Sequence, residues 1–176
     1  VICIGIGRYN ISPAESLGIL LSPLTGREVD PQGWSVIYHV RLPRILLALA
    51  VGMGLSVSGA SFQSLFSNPL ATPDTLGVAT GASFGAVLAL LFTRNILVVQ
   101  LAALLMGLAA LAGTCLISRL NGKSSILMVV LGGMVVSSLF QALVSLAKYV
   151  ADPEEDLPAI TYWLMGSMSR ATYQGL

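Results

Sequence analysis

Arg41 and Arg44 stand three residues apart in RLPRILLALA, directly ahead of a long run with no charged side chain. A guanidinium is always charged and grips a carboxylate or phosphate bidentately through a planar fork of donors. Residues three apart on a helix share a face, and Pro43 suits a first helical turn. The spacing predicts both arginines at the N-terminus of a helix starting near Arg41, where the dipole is already positive. Their mutual repulsion would be relieved by an anion or by a partner's carboxylate. The plainer alternative is a pair of anchors whose charged heads snorkel to the membrane interface.

Other chemistry-bearing residues point to less. The stretch NGKSS resembles the end of a phosphate-binding loop, but the pattern needs glycine at 117 and the residue there is isoleucine. His39 is the only histidine, so no histidine-based metal cluster can form, and neither a metal site nor a cofactor is expected. Asp152, Glu154, Glu155 and Asp156 read as a solvated acidic turn. No hydrolase or zinc-protease motif is present, and enzyme activity is not expected. The cysteines, Cys3 and Cys115, lie too far apart in sequence to suggest a disulfide framework.

The elements that position these residues follow from composition. Charged residues make up 10% of the chain and apolar residues 55%, with a mean hydropathy of +0.85. Soluble domains carry about a quarter charged residues. Four charge-free runs, Ile45–Pro73, Thr75–Thr93, Asn95–Ser118 and Ser124–Ala147, reach the roughly 20 residues that a helix needs to cross about 30 Å of hydrocarbon. They lack the alternation of barrel strands, so an all-α, polytopic helical membrane protein is predicted. A net charge of +1 without basic clusters gives no nucleic-acid signal.

Along the chain, Ser12-Pro13-Ala14-Glu15 has the form of a capping box and predicts a surface helix over about 13–21, followed by a loop to Trp34. Spans are predicted over about 42–66, 75–93, 96–118 and 124–149. The prolines of SNPLATPD break the first from the second. Gly77, Gly81 and Gly85, continued by Ala89, predict a face of small residues for close helix packing. After ADPEEDLP, a short helix over about 159–168 carries Tyr162, Trp163, Met165 and Gly166, with its aromatics suited to the interface. VICIGIG reads as the end of a preceding span and SRATYQGL as the start of another, so part of a longer permease is expected.

Together these residues resemble the FecCD-type permeases, membrane subunits of type II ABC importers for ferric siderophores, haem, cobalamin and some metal oxyanions. The elements that carry the resemblance are Arg-Leu-Pro-Arg (41–44), Ser-Gly-Ala (58–60), Asn-Pro-Leu-Ala-x-Pro (68–73), Leu-Gly (76–77) with Gly-Ala (81–82), and LPAITYWLMGSMS (157–169). The family implies a ten-span fold of which this chain would hold roughly the first half, from the end of span 1 to the short helix before span 6. It implies a second permease subunit (identical or homologous), a cytoplasmic ABC ATPase and a periplasmic or lipid-anchored substrate-binding protein, in the lipid of a bacterial inner membrane. Arg41 and Arg44 would dock the binding protein, Asn68, Pro69 and Pro73 would face the ATPase, and Ser124, Ser125 and Ile126 would lie near the cytoplasmic gate. The span over 124–149 would border the cargo pathway. The family template sets Arg8, Arg27, Arg41, Arg44, Arg94, Lys148 and Arg170 outside against Arg119 and Lys123 inside, contrary to the positive-inside rule. Two other classes compete: half of a secondary transporter or channel, which should carry coupling acids inside its spans, and a membrane anchor for a larger complex.

Overall fold

The computed structural model describes Tyr9 and residues 11–26, 28–67, 72–119, 126–168 and 171–173, and every regular element among them is helical. The chain divides into two units, Val1–Leu55 with Ser167–Leu176, and Ser56–Gly166.

In the first unit, α1 (Pro13–Thr25) begins where Ser12 Oγ accepts the Glu15 N–H at 3.2 Å. It runs past the predicted end near residue 21, although Pro23 lies inside it. Proline has no N–H for the carbonyl four residues earlier, here that of Ile19. The Ser22 hydroxyl donates to that carbonyl at 2.7 Å instead, and the helix continues until Gly26 closes it in the left-handed conformation, φ 64°.

The next helix starts at Pro31, ten positions before the expected start at Arg41. Asp30 caps α2 (Pro31–Ser35) by accepting the Gly33 N–H at 2.9 Å. The chain then widens into a π-helical turn, Val36–Arg41, and continues as α3 (Leu42–Phe66). Pro43 explains the wide turn. It cannot donate to the preceding turn, and its ring crowds the carbonyl there. An i→i+5 turn makes room, with the Leu42 N–H bonding the Ile37 carbonyl. Ile11, Ile19 and Ile37 are buried together. Outside hydrocarbon, burying an isoleucine side chain stabilises by about 1.5–3 kcal/mol, so this small core fixes α1 against the π turn. The Tyr38 hydroxyl donates to the Leu20 carbonyl at 2.9 Å and its own carbonyl accepts from the Tyr173 hydroxyl at 2.6 Å.

The second unit holds the end of α3, a 3₁₀ turn (Pro73–Leu76), α4 (Val78–Leu90), α5 (Ile96–Arg119), α6 (Ile126–Val150) and α7 (Asp156–Met165). Among the described residues, Pro31–Leu65, Ile96–Arg119 and Leu127–Val150 are long and apolar enough to cross a membrane. α4 is shorter, at 13 residues, a rise of about 20 Å. The charge-free run 75–93 is longer than its helix because the 3₁₀ turn and Gly77 (φ 76°) occupy its start. At its other end Asn95 Oδ1 accepts the Leu97 N–H at 3.0 Å and opens α5.

α4 packs against both α5 and α6, and its contacts are set by missing side chains. A Cβ on Gly81 would meet Ala110 Cβ at 2.5 Å and the Met106 carbonyl oxygen at 2.8 Å, and one on Gly85 would collide with the Ala102 carbonyl. Gly77 faces α6 instead, 3.1 Å from Ser137 Oγ by the same measure. The predicted single face of small residues is therefore divided. Gly77 precedes the helix in a left-handed turn, which breaks the 3.6-residue period before Gly81.

Candidate functional site

Arg41 and Arg44 are handled differently by the fold. Arg41 closes the π turn, is 8% exposed, and donates from Nη2 to the Tyr9 carbonyl. Arg44 is on the α-helical side and is exposed. With Arg41 buried and Arg44 exposed, the two side chains share no common exposed face. The helix start at Pro31 also removes the repulsion expected from the dipole, because neither arginine stands in a first turn. Beside them Trp34 stacks on Tyr38 at 4.9 Å between ring centres and meets His39 edge-on at 5.4 Å. A predicted loop up to Trp34, with no helix expected before Arg41, hid this aromatic group.

The turn that opens α4 is held on two sides. The Leu76 carbonyl accepts from the buried Thr114 hydroxyl at 2.9 Å, and Gly133 of α6 lies so close to Thr75 that a Cβ there would strike the Thr75 carbonyl. Gly133 is well inside α6, so irregular backbone is lodged against the body of an apolar helix. Such backbone is tolerated at membrane depth only where protein or a wet cavity satisfies it. Pro73 is the first residue of this turn. Asn68, Pro69, Ser124 and Ser125 lie outside the described residues, and Ile126 is the first residue of α6.

At the far end of α6, Asp152 Oδ1 accepts the Glu154 and Glu155 N–H groups at 2.8 and 3.0 Å. These donors, Glu155 first, hold its carboxyl below the usual 3.8. Asp156 begins α7 and pairs with Arg94 at 2.7 Å. The sequence concealed this pair because its members are far apart in the chain. Along α7, Ile160 is fully buried with Val87, Val144, Ala147 and Ala151. Trp163 packs on the Ala86, Ala89, Val99 and Ala103 cluster, while Tyr162 and Met165 are exposed and Gly166 ends the helix at φ 70°.

One polar feature lies on the spans themselves. A groove of about 490 Å³ between α4 and α6 is lined by Thr80, Ser137, Ser138, Gln141, Ala142 and Ser145. Ser137, Gln141 and Ser145 recur every fourth residue and so line one helical stripe. Reading the run only for charge passed over this signal.

The family model described as the FecCD transport family matches residues 1–176. The chain belongs to the FecCD transport family. It is 44% identical over its whole length to the molybdate import system permease protein MolB of Haemophilus influenzae, covering 52% of that protein. It is 35% identical to the vitamin B12 import system permease protein BtuC of Escherichia coli over 85% of this chain and 48% of that one. A solved structure of a metal-chelate type ABC transporter in an inward-facing conformation superposes with a TM-score of 0.80 and 41% identity, over 98% of this chain and 51% of the other. This is an all-helical, membrane-embedded chain of the FecCD class, and it spans about half the length of the curated relatives it matches.

Proposed function

We propose that the protein to which this chain belongs is the permease subunit of an ATP-driven importer in the bacterial inner membrane, with a metal oxyanion as its cargo. The FecCD match over residues 1–176 carries this reading, and the 44% identity to a molybdate permease favours an oxyanion over a chelate or corrinoid. Cargo crosses at an interface between two permease subunits, identical or homologous. A separate cytoplasmic ATPase hydrolyses the ATP, so the permease is not itself an enzyme. The turn at Pro73, with Asn68 and Pro69, faces that ATPase. Ser124, Ser125 and Ile126 lie near the cytoplasmic gate.

A periplasmic or lipid-anchored binding protein docks through the 41–44 motif. The exposure of Arg44 supports its role as the carboxylate contact. Arg41, held by the Tyr9 carbonyl, fixes the turn that presents it. A partly desolvated arginine–carboxylate contact costs about 2–5 kcal/mol when one partner is truncated. Full-length permease reconstituted with its ATPase and binding protein is expected to take up molybdate only with ATP. Arg44→Glu should weaken binding-protein association most at low salt, and an acidic-to-lysine change on the partner should restore part of it. ATP-independent uptake would overturn the importer reading, and docking indifferent to Arg44→Glu would overturn the docking role.

A further inference from the structure

The groove on α4 and α6 sits where polar groups are costly. Gln141 lies close to Ser138, the midpoint of the 25-residue α6, and its side chain is exposed on that helix. Lipid cannot satisfy a primary amide, which has two donors and an acceptor with two lone pairs. Polar residues within spans accordingly face a bundle interior or a water-filled cavity. The rest of the lining agrees. Thr80, Ser138 and Ser145 give their hydroxyl protons to the carbonyls of Gly77, Met134 and Gln141, at 3.0, 2.9 and 3.0 Å. They therefore turn lone pairs toward the groove and accept from water. The Ser137 hydroxyl and the Gln141 side-chain amide make no hydrogen bond among the described residues and keep donors available. The lining carries no charge.

We propose that this groove is a wet, uncharged contact site for a small oxyanion, in which the Ser137 hydroxyl and the Gln141 amide donate to the anion's oxygens. This rests on the importer reading and specifies the cargo chemistry of one surface. Thr80, Ser138 and Ser145 hold the water that hydrates the anion. An arginine or lysine here would bind the anion tightly and slow its release. Neutral donors make an interaction strong enough to admit the ion and weak enough to let it leave, which conduction through a pathway requires.

The test uses the full-length permease assembled with its ATPase and binding protein in proteoliposomes, with molybdate as the probe. Gln141→Leu keeps the side-chain volume and removes the donors. It should lower molybdate uptake by about tenfold or more, the factor carried by one hydrogen bond to a charged group. Ser137→Ala should act in the same direction. Should Gln141→Leu fail to assemble, Gln141→Cys with Cys3 and Cys115 replaced by serine gives a second readout. A charged thiol reagent should modify it, and molybdate should slow the modification. Unchanged uptake in Gln141→Leu and Ser137→Ala would overturn the proposal. So would a cysteine at 141 that stays unreactive or cross-links to its counterpart in a second permease copy, since the groove would then be a subunit interface. Vitamin B12 import without molybdate import would overturn the oxyanion while leaving the importer intact. A native complex that moves neither with ATP would remove the importer reading itself.

Discussion

Single atoms decide how closely the helices of the second unit approach. Between lipid-embedded helices there is little hydrophobic drive, and dispersion at short range does the work instead. Gly81, whose Cβ would press on Ala110 and the Met106 carbonyl, is therefore intolerant of size. Gly81→Leu is expected to destabilise the full-length permease by about 1–3 kcal/mol or more through overpacking, seen as a lower Tm in detergent. Gly18 on α1 is the control, because a Cβ there meets nothing within 4 Å. Gly18→Ala should leave Tm unchanged or raise it, since alanine is favoured over glycine in a helix by roughly 0.5–1 kcal/mol. Equal effects at the two sites would refute the close-approach argument. The Gly81–Gly85 spacing was legible in the sequence, because small residues four apart stay on one face of an unbroken helix. The direction of Gly77 was not, because its positive φ follows from the 3₁₀ turn ahead of it.

Elements were legible where their signals are local. Ser12 and Pro13 announced α1, and the apolar runs announced α3, α5 and α6. The sequence hid the features where two local signals compete or a distant residue intervenes. Pro23 reads as a stop until the Ser22 hydroxyl takes the Ile19 carbonyl. Pro43 reads as a helix start until the π turn absorbs it. The entry to α7 has a local turn, held by Asp152, and a distant partner, Arg94. Asp152 gives the element a pH dependence with a definite sign. Its backbone donors place the folded-state pKa below the unfolded value near 3.8. The stabilisation is therefore full above that value and is lost as pH falls through the folded pKa. Amide exchange or limited proteolysis of residues 151–160 should show the turn loosening below pH 3.8. Asp152→Asn, which retains an acceptor oxygen without a titrating proton, should flatten that acid transition. An equally steep transition in Asp152→Asn would place the pH dependence on another group.

At the scale of the whole molecule, the sidedness of the chain is where sequence rules and family disagree. Counting lysines and arginines places the 41–44 motif in the cytoplasm, whereas the FecCD template places it outside and Ser67 inside. α3, at 25 residues, rises about 37 Å, enough to cross a hydrocarbon core of about 30 Å. Its two ends should therefore report opposite sides. Ser67 is a suitable reporter, because it is exposed and follows the last turn, its N–H bonded to the Ser64 carbonyl at 3.2 Å. Its φ of 48° is as tolerable for cysteine as for serine, so Ser67→Cys should not disturb the turn. In full-length permease with Cys3 and Cys115 replaced by serine, a membrane-impermeant maleimide should label Ser67→Cys only in inverted vesicles. Arg44→Cys should be labelled only in right-side-out cells. The contrast guards against occlusion by the ATPase or the binding protein, since removing either partner should raise labelling at its own end alone. Reversal of both patterns would restore the positive-inside assignment and move the 41–44 motif to the ATPase side, ending its role as a binding-protein dock.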